Sequence, residues 1–494
     1  MKLKKILKNI PHVLVKGSKE VEITGLCSDS RYVAPGNLFV AKKGISLDGT
    51  QYVPEAIDAG AVAILTDLFN PVLRNAVQII ASDVAALEPL LAAEYYKQPD
   101  SSLFITGITG TNGKTTSSYM VKHFLDALQK PCGMIGTIEC LIGSTSYKSG
   151  FTTPDIITNF KLLKEMVASG CQAVVMEVSS HGLEQKRVEQ IEFDVGIFTN
   201  LSAEHLDYHL TMESYAKAKK KLFQNLNSGD KPKWAVINND DAHAEFMREG
   251  CKAEVITYGL FPPADITAKD IEYSTTGIKG TLAYKNKLEP FELPFIGLHN
   301  IYNLLAATST AICAGYSLEE IAPLAKTINP VQGRLERVPN PLDLQIYVDF
   351  AHKDIALRTV LQALRKSVQG RIITVFGCGG NRDKLKRPRM AKVCEELSDF
   401  TIVTSDNPRN EPPEEIIHQI LEGFTTLDKV TVEVDRTNAI RHAIEMASPG
   451  DAILIAGKGH ETQQIFAHST IPFDDREVAY SICCAKAQNQ TSIS

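Results

Sequence analysis

A glycine-rich loop between an apolar segment and a helical segment constrains this chain more than any other feature. The segment LFITGI is short and apolar, as a buried strand is, and it leads into GTNGKTT at residues 110–116. The residues that follow, TTSSYMVKHFLDALQ, place apolar side chains at helical spacing. A strand, a glycine-rich turn and a helix N-terminus together present backbone N–H groups to phosphate oxygens. The sequence therefore predicts a parallel α/β domain that binds a nucleotide.

Each residue of this loop has an expected role in nucleotide binding. In loops of this kind the lysine, here Lys114, reaches the β- and γ-phosphates, and the following hydroxyl, here Thr115, binds magnesium. The general pattern has a glycine at position 108, where this chain has Ile108. A plain glycine-rich turn is the alternative, but the context of strand, loop, Lys-Thr and helix favours a nucleotide. The predicted loop contacts are Gly110, Thr111, Asn112, Gly113, Lys114, Thr115 and Thr116.

The length and the order of the segments predict three domains. The chain has 494 residues, too many for one ordinary domain. The first predicted domain, 1–98, mixes strand-like runs such as VEITGL with helical stretches, and a polar linker is expected at 97–102. Strands alternate with helices in 99–334 and again in 335–494, which favours two parallel sheets. The predicted fold is α/β: a mixed N-terminal domain, a central phosphate-loop domain and a C-terminal Rossmann-like domain.

Charge and cysteine usage exclude several classes of protein. The net charge of −6 argues against a nucleic-acid partner. Ten cysteines without a C-x-x-C pair favour a reducing compartment over a disulfide framework or a metal site. The basic N-terminal residues are interrupted by lysine and asparagine, and no apolar run is long enough to cross a bilayer. We expect a cytoplasmic protein with no membrane partner.

Polar residues follow two further predicted strands of the central domain. Glu177 comes directly after AVVM, at the strand end where ligands of parallel sheets bind, and its oxygens suit magnesium. Taken alone, it could equally cap a helix or form an ion pair. After the next strand, Glu204, His205, Asp207 and His209 suggest zinc, but the magnesium chemistry of the phosphate loop makes zinc the weaker hypothesis. Each histidine alone would more often be structural.

Several motifs in one order resemble the Mur ligase family. The central ones are GTNGKTT, MEVSSHGL-x-Q-x-RV, FTNL with HLDYH, and YAKAK. FGCGG-x-RDK-x-KRP, DNPR and AGKGHE in the last third resemble the family members that add diaminopimelate. The motifs extend from Asp29 to Glu461. The resemblance therefore covers nearly the whole chain.

The resemblance implies an activity and its small-molecule partners. By this resemblance, the N-terminal domain of the chain would bind a UDP-sugar, the central domain would bind ATP, and the C-terminal domain would bind the incoming amino acid. The expected reaction is ATP- and Mg²⁺-dependent addition of meso-diaminopimelate to UDP-muramoyl dipeptide through an acyl phosphate, in peptidoglycan precursor synthesis. ATP is thus a co-substrate, and the protein is expected to be a monomer.

Family positions map onto individual residues of this chain. For the UDP-muramoyl dipeptide the resemblance implies Ser30, Thr152, Thr153, Ser179, Gln185 and Arg187. For the metal it implies Thr115, Glu177 and His205, and for catalysis Lys114, Lys219 and His205. Lys219 matches a lysine that the family carries as a carbamate. Without the family match, a solvated helix face would be the better interpretation of Lys219.

The remaining family positions lie in the last two thirds of the chain. ATP contacts are implied for Asn303, Arg334 and Asp349. The Asp349 motif reads DFAHKD, whereas the family has D-Y-A-H-x-P, so the conformation there is open. The resemblance implies that diaminopimelate is bound by Arg382, Asp406, Asn407, Pro408, Arg409, Gly457 and Glu461. The Arg409 guanidinium can offer a bidentate fork to the extra carboxylate that distinguishes diaminopimelate from lysine.

Two alternatives remain open from the sequence. One is another ligase of the same family that adds lysine or glutamate, including a folylpolyglutamate-type enzyme. The DNPR segment and the N-terminal DSR motif argue against the folate type. The other is a binding or regulatory protein in which ATP only switches the conformation. Its signature would be nucleotide turnover without an amide product.

Overall fold

The computed structural model describes residues 1–44, 48–227, 229 and 231–491. Contacts between Cα atoms divide the chain into two compact units. The first contains residues 1–266 and 306–317, and the second contains 267–305 and 318–494. The domain boundaries expected at residues 98/99 and 334/335 stay predictions.

The N-terminal region contains a small mixed sheet together with helices. The strand order is β1-β5-β4-β3-β2, with β1 antiparallel to β5 and the other neighbours parallel. The prediction of a strand at VEITGL is wrong for residues 21–24. The main chain there bonds to the N-terminal residue instead, because Ile23 N donates to Met1 O at 2.8 Å. The elements are α1 Leu3–Ile6, β1 Leu14–Lys16, β2 Gly25–Cys27, β3 Asn37–Val40, α2 Val53–Asp58, β4 Ala63–Thr66, β5 Val77–Ile80 and α3 Val84–Tyr96.

The segment expected to be a polar linker is instead a short ordered helix. Pro99–Ser102 forms a 3₁₀ helix in which Pro99 and Asp100 are buried. The Asp100 carboxylate accepts a hydrogen bond from Glu192 N at 2.9 Å. Burial raises the pKa of Asp100. The segment is therefore fixed to the body of the first unit.

The phosphate-loop region of the first unit is built on parallel strands. Their order is β13-β12-β11-β6-β10-β7-β8-β9, and only β8 and β9 run antiparallel to their neighbours. All five residues of β10 are buried, as expected of a parallel strand covered on both faces. The elements are β6 Phe104–Thr109, α4 Lys114–Ala127, β7 Cys132–Ile135, β8 Glu139–Ile142, β9 Thr145–Lys148, α5 Ile156–Ala168, β10 Ala173–Glu177, α6 Ser180–Glu184, β11 Val195–Phe198, α7 Leu206–His209, α8 Met212–Asn225, β12 Trp234–Asn238, α9 Ala244–Arg248 and β13 Glu254–Tyr258.

The elements between residues 266 and 321 include a β-hairpin. β15 pairs antiparallel with β16 from Ile278↔Leu293 to Tyr284↔Lys287. The helix predicted to end near Gly315 ends at Cys313, and Gly315 follows with a φ of +98°, a usual helix stop. The elements are β14 Ile266–Tyr273, β15 Ile278–Tyr284, β16 Lys287–Leu293, α10 Leu298–Cys313 and α11 Leu318–Ile321.

The rest of the second unit contains a six-stranded sheet. Its order is β17-β18-β22-β19-β20-β21, parallel except for β17, and apolar side chains are buried on both faces. The elements are β17 Glu336–Arg337, β18 Gln345–Asp349, α12 Asp354–Ser367, β19 Ile372–Phe376, α13 Lys386–Leu397, β20 Phe400–Val403, α14 Pro413–Leu421, β21 Val430–Val432, α15 Arg436–Met446, β22 Ala452–Ala456, β23 Gln463–Ile465, β24 Thr470–Pro472 and α16 Asp475–Thr491.

Both parallel sheets place the predicted site residues after the carboxyl ends of their strands. The phosphate loop follows β6 and Glu177 is the last residue of β10, whereas DNPR follows β20 and AGKGHE follows β22. Ligands bind at this edge of open α/β sheets. Within the described part of the chain, no helix combines the length and apolar character needed to cross a membrane.

Candidate functional site

The backbone conformation of the phosphate loop depends on two of its glycines, Gly110 and Gly113. Gly110 has a φ of +149°, and a Cβ there would lie 1.8 Å from Thr199 Oγ1. Gly113 has a φ of +86° and immediately precedes α4, so it turns the chain into the helix. The loop is held from behind by the segment after β11. Thr199 Oγ1 donates to Asn112 O at 2.7 Å, and Asn112 N donates to Asn200 Oδ1 at 2.9 Å.

Two lysines converge on the carbonyl of Gly110. Lys114 Nζ donates to Gly110 O at 2.8 Å and to Thr111 O at 2.9 Å, so its ammonium group lies over the loop. Lys219 Nζ, from α8, also donates to Gly110 O at 2.8 Å. Lys219 is 1% exposed, which excludes the solvated helix face, whereas Lys217 on the same helix is exposed. The structure thus brings Lys114 and Lys219 to one place.

The surroundings of Lys219 disfavour its charged form. Its Nζ lies 4.4 Å from the centroid of the Tyr215 ring. Burial lowers the pKa of Lys219 well below the ordinary value, and the neighbouring Lys114 charge lowers it further. A neutral amine is the nucleophilic form of lysine, the form that reacts with carbon dioxide to give a carbamate.

Thr115 and Glu177 form an oxygen-rich pair beside the loop. Thr115 Oγ1 donates to Glu177 Oε2 at 2.9 Å, and Glu177 is 1% exposed. Thr137, which follows β7, donates its backbone N–H to Glu177 Oε1 at 2.8 Å and its hydroxyl to Oε2 at 3.0 Å. Hydroxyl and carboxylate oxygens are ligands that Mg²⁺ prefers, so this pair fits the ion. The sequence reasoning missed Thr137, which follows a strand that was not predicted.

His205 lies among aromatic rings, and its Nε2 is 3.8 Å from Glu204 Oε1. Its ring centroid is 4.8 Å from that of His181 and 6.1 Å from that of Tyr215. Tyr215 OH lies 3.2 Å from the hydroxyl of Thr111, which links this group to the phosphate loop. His209 Nε2 lies 2.9 Å from Ser180 Oγ.

The described residues contain no group of three or more His, Cys, Asp or Glu side chains placed to hold a metal. The zinc hypothesis therefore gains no support from the geometry.

Four of the residues predicted to bind the dipeptide are joined by hydrogen bonds. Thr153 Oγ1 donates to Glu177 O at 2.8 Å and lies 3.1 Å from Ser179 Oγ, and Arg187 Nη1 donates to Thr153 O at 2.8 Å. Arg187 Nη2 donates to Gln185 Oε1 at 2.7 Å. Burial lowers the pKa of the Arg187 guanidinium.

Thr152 and Ser30 lie at two other places in the first unit. Thr152 Oγ1 is 3.0 Å from Thr137 Oγ1, so Thr152 lies beside the Glu177 carboxylate that Thr137 contacts. Ser30 lies in the N-terminal region, where its hydroxyl donates to Glu55 Oε2 at 3.1 Å. Asp29 caps the same turn by accepting from Arg31 N at 3.0 Å.

The three ATP contacts predicted beyond residue 300 lie in the second unit. Asn303 is buried and donates from Nδ2 to Asn300 Oδ1 at 3.0 Å. The Asp349 carboxylate accepts from Leu335 N at 2.6 Å and from Ala351 N at 2.7 Å. Burial raises the pKa of Asp349 to about 6. The guanidinium of Arg334 lies 4.9 Å from the centroid of the ring of Phe350.

The unusual DFAHKD motif leads into a regular helix. Asp354 stands where the family has proline, and it is the first residue of α12. Proline is favoured at this position but not required, and an acidic residue in the first turn interacts well with the helix dipole. His352 Nδ1 lies 2.9 Å from Phe350 O. The substitution therefore leaves the start of the helix intact.

The predicted diaminopimelate residues lie on three loops after β19, β20 and β22. Asp406, Asn407 and Pro408 are buried, Arg409 and Glu461 are partly exposed, and Arg382 is exposed. Arg409 Nη1 donates to Gly380 O at 3.0 Å and to Asn407 O at 3.3 Å. Gly457 has a φ of +117°, and a Cβ there would lie 2.6 Å from Asp406 Oδ2.

The segments after β19 and β20 are joined by an ion pair between buried Arg387 of α13 and partly exposed Glu411, which the sequence reasoning missed. Arg387 is fully buried and donates from Nη1 to Glu411 Oε2 at 2.9 Å. Glu411 Oε1 also accepts from Asn381 N at 2.5 Å. The hydrogen bond from Arg387 lowers the pKa of Glu411 to about 2. The KRP letters of the motif contain this arginine, but they do not indicate its partner.

A second ion pair, with both side chains buried, fixes the strand ends behind the loops after β20 and β22. Arg436 donates from Nε to Asp475 Oδ1 at 2.7 Å and from Nη2 to Asp475 Oδ2 at 2.8 Å, and both side chains are fully buried. The same guanidinium donates to Ala456 O at 3.1 Å and to Ser405 O at 3.4 Å. These carbonyls directly precede Gly457 and Asp406.

The fold and these sites define a nucleotide-binding α/β protein with a second parallel sheet that carries a cluster of polar and charged loops. Models of three families match successive parts of the chain. The Mur ligase family catalytic domain matches residues 22–97, the Mur ligase middle domain 108–311, and the Mur ligase glutamate ligase domain 333–459.

Curated relatives and a solved structure agree with the family models. A Chlamydia caviae protein named UDP-N-acetylmuramoyl-L-alanyl-D-glutamate–2,6-diaminopimelate ligase is 44% identical over 489 residues, covering 98% of this chain and 99% of the relative. A protein of the same name from Caldanaerobacter subterraneus is 42% identical over 484 residues, covering 98% and 99%. A solved structure of a ligase with this name has a TM-score of 0.72 at 31% identity and covers 99% of each chain. The chain belongs to the Mur ligase family.

Proposed function

We propose that this protein is an ATP- and Mg²⁺-dependent ligase that joins meso-2,6-diaminopimelate to the D-glutamate of UDP-N-acetylmuramoyl-L-alanyl-D-glutamate. The observation that supports this proposal most is the phosphate loop in the first unit together with the DNPR loop, which contains Arg409, in the second. The names of relatives that are 40–44% identical over nearly the whole chain support the same substrates. The reaction would take place in the cytoplasm, with a monomer as the active form.

The chemical problem is to form an amide from an unreactive carboxylate. A carboxylate oxygen of the substrate attacks the γ-phosphorus of ATP, ADP leaves, and an acyl phosphate forms. The amine nitrogen of diaminopimelate, in its neutral form, then attacks the acyl carbon, and inorganic phosphate leaves with one oxygen of the original carboxylate. Such phosphoryl transfer depends on positioning and on neutralising negative charge.

The phosphate loop supplies much of that charge neutralisation. The backbone N–H groups at the start of α4 would hold the phosphates, and Lys114 would exchange its two loop carbonyls for phosphate oxygens. Thr115 and Glu177 would hold Mg²⁺, with His205 as a further candidate ligand. The ion would supply positive charge to the phosphate oxygens when bound.

The structure offers a reason for modifying Lys219. Its buried amine, with a strongly lowered pKa, can attack carbon dioxide and lose a proton to give a carbamate. The product would carry an anionic oxygen pair in the same region as the Thr111–Tyr215 hydroxyl pair. A lysine that must carry a charge for stability would not be buried beside a second lysine. This location supports a catalytic role for Lys219.

Recognition of the substrates would rest on three further groups of residues. Ser30 would contact the uridine end, and Thr152, Thr153, Ser179, Gln185 and Arg187 would hold the dipeptide. Asn303, Arg334 and Asp349 would complete the ATP contacts. Diaminopimelate would be bound by Arg382, Asp406, Asn407, Pro408, Arg409, Gly457 and Glu461. A site built for the extra carboxylate rejects lysine because a guanidinium would then be left without its partner.

An isotope experiment tests the acyl phosphate. UDP-muramoyl dipeptide with oxygen-18 in its D-glutamate carboxylate is incubated with ATP and diaminopimelate, and the released phosphate is analysed by mass spectrometry. The proposal predicts one labelled oxygen in the phosphate and an amide product of matching amount. Lys114→Ala, the control, should form neither. Phosphate without label, or ATP turnover without an amide, would instead support the nucleotide-switch alternative.

A further inference from the structure

A fully buried lysine lies between two of the loops that carry the proposed amino-acid site. Lys458 follows β22 and is 0% exposed. Its ammonium group donates to Asn407 Oδ1 at 3.0 Å, to Glu461 Oε2 at 3.3 Å and to the Gln463 carbonyl at 2.6 Å. An ammonium group has three N–H donors, and here each has an acceptor. The high cost of burying this charge is thereby offset within the site.

These contacts determine how the Asn407 amide is oriented. Its Oδ1 accepts from Lys458 and from Ile465 N, both at 3.0 Å. The amide nitrogen must therefore point the other way, and Nδ2 donates to Glu461 Oε2 at 2.7 Å. Asn407 is 3% exposed, so it cannot exchange these partners for bulk water.

The arrangement leaves specific ligand-binding atoms available. Glu461 uses Oε2 for Lys458 and Asn407, and 35% of its side chain stays exposed, so it can offer Oε1 to a ligand. The Asn407 amide nitrogen has a second N–H besides the one donated to Glu461, and such a donor suits a ligand carboxylate. An amino-acid centre has an ammonium and a carboxylate group, which match an acceptor and a donor held at a fixed separation.

We propose that Lys458 is a positioning residue of the amino-acid site, which locks Asn407 and Glu461 into one hydrogen-bonded unit for the distal amino-acid centre of the substrate. This inference rests on the proposed function. Lys458 itself does not contact the substrate. It acts by holding two side chains in the geometry that the ligand requires, which lowers the cost of ordering them on binding.

The test replaces Lys458 with methionine, which is similar in length but lacks the donors. We expect Lys458→Met to raise the KM for diaminopimelate by about tenfold or more, as is usual when a supporting hydrogen-bond partner is lost. The KM for ATP should not change. Lys458→Gln keeps an N–H donor and should give an intermediate KM for diaminopimelate. If the methionine variant does not fold, the glutamine variant is measured in its place.

A matched control separates positioning from loss of stability. Lys233 in the first unit is also a buried lysine, paired with Glu192 Oε1 at 3.1 Å and with the Phe193 carbonyl at 3.0 Å. It lies just before β12, at the strand ends opposite to the phosphate loop. Lys233→Met should lower stability and leave the KM for diaminopimelate unchanged.

Two different failures can be told apart. If wild-type protein forms no product from diaminopimelate, the proposed function is wrong. If wild type forms the product and Lys458→Met, or Lys458→Gln where methionine does not fold, keeps the wild-type KM for diaminopimelate, only the positioning role is wrong. An equal rise of both KM values in these variants would likewise assign Lys458 a general structural role.

Discussion

Replacing Lys219 with methionine tests whether this lysine is kept for function at a cost in stability. The side chain is 1% exposed, and its Nζ donates to Gly110 O. Methionine has a similar length and fills the same space without a charge. Gly110 O keeps a donor in the variant, because Lys114 Nζ also contacts it at 2.8 Å. The substitution therefore removes a buried ionisable group and leaves no unpaired acceptor.

The size of the stability change follows from this local balance. Replacing a buried charge by an apolar side chain of similar volume is often stabilising, by about 1–4 kcal/mol. We expect Lys219→Met to raise the free energy of unfolding within this range. Lys233→Met, in contrast, deprives the Glu192 carboxylate and the Phe193 carbonyl of a donor, which should lower the free energy of unfolding by about 1–3 kcal/mol. The two substitutions, both at buried lysines of the same unit, should thus change the free energy of unfolding in opposite directions.

The gain in stability should depend on pH in a defined direction. The pKa of Lys219 is lower in the folded protein than in the unfolded chain. Between these two values the unfolded chain binds more protons, so the wild type gains stability as the pH rises. The advantage of Lys219→Met should therefore be largest below the folded pKa and decline as the pH rises toward the ordinary lysine value.

The assay combines urea unfolding with ligation rates. Unfolding is followed by circular dichroism and by fluorescence of Trp234, the single tryptophan of the chain, in buffer free of carbon dioxide so that Lys219 is unmodified. Ligation should fall by about 100-fold or more in Lys219→Met. Lys219→Ala should be as slow, and added acetate should partly restore it. A methionine variant that is less stable than wild type and fully active would refute the reasoning.

Three further substitutions test other parts of the account. Gly110→Ala would place a Cβ 1.8 Å from Thr199 Oγ1, so calorimetric titration should show weaker ATP binding, by about 1–3 kcal/mol. Arg409→Met should raise the KM for diaminopimelate, by the equivalent of about 2 kcal/mol or more, and leave ATP binding intact; an unchanged KM would remove Arg409 from the site. Arg436→Met should lower the free energy of unfolding by about 3–5 kcal/mol, because Asp475 keeps a buried, unpaired charge; a urea midpoint equal to that of wild type would contradict this.

The sequence predicted those parts of the molecule that depend on local patterns. The phosphate loop could be placed from the order of strand, glycines, Lys114 and helix, all within a short segment. Glu177 could be placed because the end of a parallel strand marks the ligand edge of the sheet. Residues 21–24 failed as a strand because the main chain there bonds to Met1, which no alternating pattern can indicate.

The supporting groups could not be predicted because their partners are far apart in the chain. Thr137 contacts Glu177, and Arg436 contacts Asp475, across separations of 40 and 39 residues. Without the family match, the sequence favoured an exposed position for Lys219, whereas the structure buries this side chain. Burial depends on tertiary packing, which the local sequence does not determine. The motifs therefore named the groups expected to contact substrates, whereas the structure identified the residues that hold them in place.

A single competition experiment tests the central claim most directly. Wild-type protein is given ATP, Mg²⁺, UDP-muramoyl dipeptide and an equimolar mixture of meso-diaminopimelate, lysine and glutamate, and the nucleotide products are identified by mass spectrometry. The account predicts one main product, the UDP-muramoyl tripeptide that carries diaminopimelate, formed with an equal amount of ADP. A main product carrying lysine or glutamate, or ADP without any tripeptide, would contradict it.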